Sequence, residues 1–151
     1  MSETYRTLPN AQKVGADGLP LCNDASPFRV RHLRRVITSA EILTLNSVQV
    51  VLVPAVAGIA YGVRSFHCSY NHGGTDYASA NLDMVLQVNA VTISLITNAV
   101  SGTADKASQG DIKNAILEPG AELILAEGGG DATTGNGTAT IYVEYIEIPV
   151  P

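Results

Sequence analysis

The sequence contains no tryptophan and has few charged or aromatic residues. Only 15% of its 151 residues are Asp, Glu, Lys or Arg, and only 5% are aromatic, whereas charged residues make up about 25% of an average soluble domain. A chain with so little charge has little material for a fully solvated surface, so we expect a partner to cover part of it. The formal net charge of −5 argues against nucleic acid as a direct partner, because phosphate contacts depend on Lys and Arg.

Cysteines and long apolar segments are also scarce. Cys22 and Cys68 are the only cysteines, which excludes a disulfide framework and a CxxC metal site, so we expect reduced thiols. The longest apolar run, Val50–Val63, is interrupted by Pro54 and is shorter than the roughly 20 residues that span a bilayer. The first 20 residues lack the apolar core of a secretion signal. We therefore predict a non-secreted protein with no membrane partner.

Charge is distributed unevenly along the chain. Residues 1–35 carry a formal net charge of +3, and residues 36–151 carry −8. The first 27 residues contain several prolines and glycines and no periodic apolar pattern, which is typical of an extended segment or of an irregular terminus. The sequence thus predicts an extended basic N-terminal arm over residues 1–35 and one β-sandwich domain over residues 36–151.

Short β-rich runs separated by turn residues follow from residue 36 onward. Leu82–Val88 alternates apolar and polar residues with a period of two, as a half-buried strand does. Alternation within Ile59–Tyr70 places Tyr61 and Val63 on one face and Phe66 and Cys68 on the other. In the last run, Ile141, Val143 and Tyr145 share one face. The predicted strands are Ile42–Leu45, Val48–Val53, Ile59–Tyr70, Leu82–Val88, Val91–Thr97, Leu123–Ala126 and Thr138–Ile148.

Helical patterns are almost absent. Asp111–Glu118 could form about two turns, which Pro119 and Gly120 would end. Seven or eight strands joined by short turns predict an all-β fold, a single antiparallel β-sandwich of the jelly-roll kind. Residues 128–137 include five glycines and read as a flexible hairpin loop between the last two strands, with Asn136-Gly137 as a turn of positive φ.

Motifs for catalysis and for cofactors are missing. The sequence has no GxSxG, SxxK or HExxH motif, and no helix or Lys-Ser/Thr pair follows the glycine-rich loop, so a phosphate site is not indicated. His67, Cys68 and His72 are the only cluster of metal-ligand types. Adjacent strand residues face opposite sides, so His67 and Cys68 cannot both bind one ion without a bulge; a site on an intersubunit axis stays open. We predict that the protein is not an enzyme and has no catalytic residue, cofactor or metal. The alternative, a small β-barrel enzyme of the cupin type, would need histidines that face into the barrel.

Basic residues are concentrated in one short stretch ahead of the predicted sandwich. It contains Arg29, Arg31, Arg34 and Arg35. Such a run is either a solvated charge cluster or a docking contact for an acidic surface. Nucleic-acid binding is disfavoured because no aromatic residues are interleaved with the arginines. These four arginines are the predicted partner contacts.

The order of strands and turns resembles that of the small β-sandwich head decoration (cement) proteins of tailed bacteriophages. The resemblance covers roughly residues 37–98 and 118–148 and consists of strand lengths and turn residues, with no diagnostic motif. The segments that carry it are Ile37–Asn46, Val50–Ala55, Ile59–Tyr70, the Asn71–Tyr77 turn, Leu82–Val88, Leu123–Glu127, the glycine-rich loop and Ile141–Tyr145.

This resemblance implies a virion structural protein rather than an enzyme. Proteins of this kind assemble as homotrimers in the host cytoplasm, bind the major capsid protein on the outer surface of the head, and clamp neighbouring capsid subunits. The alternative is a trimeric receptor- or carbohydrate-binding module of a phage tail or fibre. It would work through its loops, where Tyr70 and Tyr77 are the candidate sugar platform and Asp131 and Asn136 are further loop-tip candidates.

Overall fold

The computed structural model describes residues 29–78, 82–113 and 118–151. Within these ranges the chain forms eight strands and one single-turn helix, and no helix in them is long and apolar enough to cross a bilayer. The elements are β1 (Arg29–Ile37), α1 (Ser39–Ile42), β2 (Val50–Val53), β3 (Ile59–Asn71), β4 (Met84–Val88), β5 (Val91–Ile96), β6 (Lys106–Ile112), β7 (Leu123–Glu127) and β8 (Thr138–Pro149).

The strands form an antiparallel sheet in the order β1-β8-β3-β6-β5-β4-β7-β2. Strand β1 pairs with β8, β2 with β7, β3 with β6 and β4 with β5. This is the pairing of a long antiparallel ribbon rolled up on itself, which is the jelly-roll arrangement. The first sheet (β1, β8, β3, β6) and the second sheet (β5, β4, β7, β2) are joined by two residue pairs between β5 and β6. The predicted antiparallel β-sandwich is therefore confirmed.

The core lies between the two sheets and follows the two-residue period of the strands. Ile141, Val143 and Tyr145, which were predicted to share one face of the last strand, are all buried on the inner face of β8, in the same core cluster as Met84 and Leu86 of β4. A core of branched aliphatic and aromatic side chains supplies the main driving force for folding.

Strand β3 departs from the predicted alternation. Its pairing with β8 slips between Val63 and Ser65, which leaves Arg64 as an extra residue on the β3 side. Such a bulge reverses the phase of the alternation. Val63 and Phe66, predicted to lie on opposite faces, therefore both point into the core. The prediction that β3 presents apolar residues on two faces is wrong for this reason.

The segment after β1 is helical rather than extended. Ser39–Ile42 forms a single turn, so the strand predicted at residues 42–45 is wrong. The side chain of Thr38 accepts a hydrogen bond from the Glu41 backbone, and the Glu41 carboxylate accepts one from the Thr38 backbone. This reciprocal capping is encoded by the Thr-x-x-Glu spacing, and it outweighs the β-propensity of the residues that follow.

Strand β1 occupies part of the predicted arm. Residues 29–35 pair with β8 in unbroken register, so the boundary predicted at residue 36 falls inside a strand. Basic residues can occupy β1 because it is the last strand of the sheet, where long side chains reach solvent. Residues 1–28 of the predicted arm, including Cys22, lie outside the described residues.

The helix predicted at residues 111–118 begins within strand β6. Asp111 and Ile112 pair with β5, so these two residues are extended, and residues 114–117 lie outside the described residues. Strand β6 has the sequence KASQGDI, which contains almost no apolar alternation. It is a strand because β3 and β5 supply hydrogen-bonding partners on both sides, which is information that the local sequence does not contain.

Candidate functional site

The basic residues of β1 make specific contacts with acidic and aromatic side chains. The Arg31 guanidinium lies 3.2 Å from the Glu147 carboxylate. The Arg35 guanidinium lies 2.8 Å from Glu41. Both pairs are largely exposed, and exposed ion pairs contribute about 0–1 kcal/mol to stability. Arg29 begins the strand, opposite Glu147 in the register. The predicted contact arginines thus lie along one strand of the sandwich.

Arg34 belongs to a different face from Arg31 and Arg35. Its guanidinium carbon lies 6.0 Å from the centre of the Tyr142 ring, a distance compatible with a cation–π contact. Tyr142 is 41% exposed, and Val30 and Val36, on the same side of β1, are 47% and 44% exposed. We call this surface of β1 and β8 the outer ribbon face; its residues are Val30, His32, Arg34, Val36, Thr140, Tyr142, Glu144 and Ile146.

The outer ribbon face carries charges of both signs, because Arg34 and Glu144 offset each other when His32 is counted as neutral. The one carboxylate among its residues is that of Glu144. His32 Nδ1 lies 3.8 Å from Glu144 Oε2, and Arg64 Nε lies 3.5 Å from Glu144 Oε1. The Arg34 guanidinium contacts the Tyr142 ring rather than a described carboxylate. The face is therefore a partly apolar strip on which Arg34 is the arginine that stands apart from the Glu144 carboxylate.

The glycine-rich segment, residues 128–137, connects the two sheets. Strand β7 pairs with β2 and β4, and β8 pairs with β1 and β3, so the prediction that this segment is a hairpin loop is wrong. We call it the crossover loop. Its backbone is tied to the neighbouring loop, because Thr133 N donates to Ala78 O at 2.9 Å and Thr134 Oγ1 donates to Asp76 O at 3.2 Å. Ala132 is buried in the core.

Two predicted loop-tip residues hold loops together. The Asp131 carboxylate accepts hydrogen bonds from the backbone N–H groups of Asn46 and Ser47, at 2.9 and 3.0 Å. Hydrogen bonds from Ser47, together with that from Asn46, lower the pKa of Asp131. The Asn136 side-chain oxygen accepts from Thr75 N at 2.9 Å. Both side chains therefore have structural partners at this end of the sandwich.

Glycine is required within the crossover loop at Gly135, by backbone conformation and close packing, and at Gly137, where a Cβ atom would lie 2.6 Å from the Tyr70 ring. Gly135 has a φ of +128°, and a Cβ atom built there would lie 2.1 Å from the Tyr77 ring. Asn136 and Gly137 do not have positive φ values, so the predicted turn of positive φ is wrong. The loop thus packs its backbone directly on an aromatic ring, an approach that only glycine permits.

Tyr70 and Tyr77 lie inside the sandwich. They are 1% and 5% exposed, and their ring centres are 6.3 Å apart. The Tyr77 hydroxyl donates to Gly137 O at 2.6 Å, and burial, followed by the neighbouring Tyr70, raises the pKa of Tyr77 to about 12. Neither ring is exposed as the sugar platform that the sequence suggested, because the crossover loop covers them.

His67, Cys68 and His72 do not converge. Cys68 is buried, and burial raises the pKa of its thiol to about 11, whereas the neighbouring His67 is only partly buried on β3. His72 Nε2 lies 2.8 Å from Asp76 Oδ1. Among residues 29–78, 82–113 and 118–151, no group of three His, Cys, Asp or Glu side chains has the geometry to hold a metal ion.

Glu127 is a buried acid that the sequence did not single out. It ends β7, is 6% exposed, and neither of its carboxylate oxygens has a hydrogen-bond partner within the described residues. Burial, with additional repulsion from Asp131 and Asp83, raises its pKa to about 7. In the sequence, Glu127 is the acid at the end of the apolar run LILAE. An acid in that position is typical of a strand end exposed to solvent, so the pattern did not indicate burial.

Comparison with known proteins gives a fold relationship. No protein-family model matches the chain, and no curated protein matches its sequence. Among solved structures, the fold is similar to a chain of the cyanophage Pam1 capsid asymmetric unit, with a TM-score of 0.51 and 11% sequence identity. The alignment covers 81% of this chain and 85% of that chain. At this identity the likeness concerns the fold.

Proposed function

We propose that this chain is a virion structural protein. In this proposal it is a decoration, or cement, protein that binds the outer surface of a phage head and contacts the major capsid protein there. It catalyses no reaction and uses no cofactor. Its contribution is mechanical, because each bound copy adds interface between capsid subunits and raises the free energy needed to separate them.

The observation that carries this proposal is the extent of the fold similarity. The fold similarity covers 81% of this chain and 85% of a chain from a phage capsid, so it takes in most of both chains. A fold by itself does not specify a function. The surface of the chain adds a second line of support.

The surface has the composition expected of a protein that is partly covered in its assembly. Only 15% of the residues are charged, and among the described residues seven large apolar side chains are exposed. Contacts with capsid subunits or with sister copies would remove them from water. These side chains are Val30, Val36, Val48, Val51, Val56, Val91 and Tyr142.

The sandwich is also built as a rigid body at its crossover-loop end. Asp131 and Asn136 bind the backbones of two neighbouring loops, and Tyr77 is hydrogen-bonded to the crossover loop from inside. A preorganised surface loses little conformational entropy on binding. This property suits a protein whose proposed role is to stabilise contacts between capsid subunits. Repetition over many lattice positions multiplies individually weak contacts.

We further propose that the chain acts as a homotrimer. A closed ring of three copies would cover exposed apolar surface on each copy while keeping the assembly finite. Light scattering of the purified chain should then give a mass about three times 15.8 kDa. A stable monomer at micromolar concentration would contradict this part of the proposal.

Electron microscopy of purified virions tests the proposal as a whole. The chain should be located on the outer surface of the head, and heads lacking it should break at lower temperature or under milder osmotic shock than complete heads. Density in the tail or a fibre would instead favour the receptor-binding alternative. Absence from the particle would refute both virion roles.

A further inference from the structure

Strand β1 has an open edge. In the part of the chain that the structure describes, β8 lies on one side of β1 and no strand lies on the other. All nine residues of β1 pair with β8 without a register shift, so its backbone is regular along its whole length. The opposite edge strand, β2, has only four residues and an irregular register. Among the described strands, β1 is therefore the better template for an added strand.

Interface-type side chains lie next to this edge on the outer ribbon face. Val30 and Val36 are almost half exposed near the two ends of β1, and Tyr142 with Arg34 lies between them. Tyrosine and arginine are enriched at the energetic centres of protein interfaces. A strand added to β1 would place its alternate side chains beside this strip.

The charge of β1 determines which partner fits. Its sequence, RVRHLRRVI, has four arginines, one histidine and no acid. Arg31 and Arg35 already lie beside Glu147 and Glu41, whereas Arg34 contacts the Tyr142 ring and is the arginine best placed to meet an added acid. Pairing with β1 of a second copy would bring arginines against arginines, and like charges in opposed positions destabilise strand pairs. An extended segment with acidic side chains would meet complementary charge instead.

We propose that β1 and the outer ribbon face bind an acidic, extended segment of a capsid subunit, which adds to the sheet as a strand beside β1. The identity of the partner as a capsid subunit rests on the proposed function. The surface and the chemistry of its ligand do not, because they follow from the open edge, the exposed valines and the excess of arginine.

A peptide titration tests the docking surface on the isolated full-length chain. The probe is a ten-residue peptide of alternating Glu and Val, and its control is the matching peptide of alternating Lys and Val. We expect the Glu peptide alone to protect alternate backbone amides of β1 from hydrogen exchange, since every second N–H of an edge strand points outward. Arg34→Glu should weaken this binding by roughly tenfold or more. Lys113→Glu, the same charge change beyond the end of β6, should leave it within about twofold.

Three results would overturn the docking inference. They are equal binding of the two peptides, no protection of β1 amides by the Glu peptide, and protection of β1 that grows with protein concentration without any peptide. The last result would identify a second copy as the occupant. Loss of binding in Arg34→Glu would count only if its circular dichroism and melting temperature match those of Lys113→Glu.

Loading onto phage heads that lack the chain separates this inference from the proposed function. If the wild-type chain fails to load while the Glu peptide still protects β1, the proposed function fails and the docking surface stands. If the chain loads and Arg34→Glu loads equally well, the proposed function stands and the docking inference fails. If loading is lost in Arg34→Glu and retained in Lys113→Glu, both are supported.

Discussion

Replacing Glu127 with glutamine should change how the stability of the protein depends on pH. The carboxyl is 6% exposed, and its oxygens have no hydrogen-bond partner in the described residues. Its ionised form is therefore disfavoured in the folded state, where its pKa is about 7 instead of the ordinary 4.5. Glutamine is nearly isosteric but carries no charge at any pH, so the variant removes the titration and keeps the shape.

The sign and size of the effect follow from proton linkage. Below pH 4.5 the carboxyl is protonated in both folded and unfolded chains and has no electrostatic cost. As the pH rises from 4.5 to about 7, the carboxyl of the unfolded chain ionises while that of the folded chain keeps its proton, so stability is lost until the folded carboxyl also ionises. A pKa difference of about 2.5 corresponds to about 3 kcal/mol, most of which appears between pH 5 and pH 8.

Urea unfolding at pH 5 and at pH 8 measures this effect. The free energy of unfolding of Glu127→Gln, relative to the wild type, should rise by about 2–3 kcal/mol between the two pH values. Titrating groups that do not interact with Glu127 cancel in this difference, and Glu122→Gln, the same change immediately before β7, controls for the loss of one negative charge. A difference between the variant and the wild type that stays constant with pH to within about 0.5 kcal/mol would refute the reasoning.

Three further changes probe the bulge and the crossover loop. Deleting Arg64 should abolish cooperative unfolding, because the loss of one residue moves the core-facing side chains of one half of β3 to its outer face. Arg64→Ala keeps the bulge and should lower the free energy of unfolding by less than about 1 kcal/mol. Equal melting curves for the two variants would contradict the role of the bulge. Gly135→Ala should destabilise by about 2 kcal/mol or more, since its Cβ would lie 2.1 Å from the Tyr77 ring. The loss should exceed that of Gly130→Ala, where φ is a similar +133° but the added Cβ would meet no atom within 4 Å; similar losses would show that backbone strain alone matters. Asp131→Ala should speed hydrogen exchange at the two backbone amides it binds, at residues 46 and 47, and unchanged exchange would mean that another group holds that loop.

The failures of sequence reasoning have physical causes that can be traced to particular residues. The bulge at Arg64 is invisible locally, because either phase of β3 gives a plausible amphipathic strand. Strand β6 has no apolar pattern and is a strand because its neighbours bind it. The helix turn at residues 39–42 was predictable, since the Thr-x-x-Glu capping signal is present in the sequence.

The candidate surfaces were predictable only in part. Four arginines were singled out from their clustering, and Arg34 does lie on an exposed face of the sandwich. Tyr70 and Tyr77 were placed in a turn region from their neighbours, yet both are buried, because the crossover loop packs over them. A residue's exposure depends on chain segments that are distant in sequence, and no local pattern encodes that.

The sequence alone specified an antiparallel β class, the positions of most strands and which residues share a face in β4 and β8, because alternation within a strand is a local property with a fixed two-residue period. Only the tertiary structure decided which strands pair, where the register slips, which loop connects the two sheets and which acid becomes buried. Those features depend on contacts between residues far apart in the chain, and they are selected by the packing of the whole sandwich.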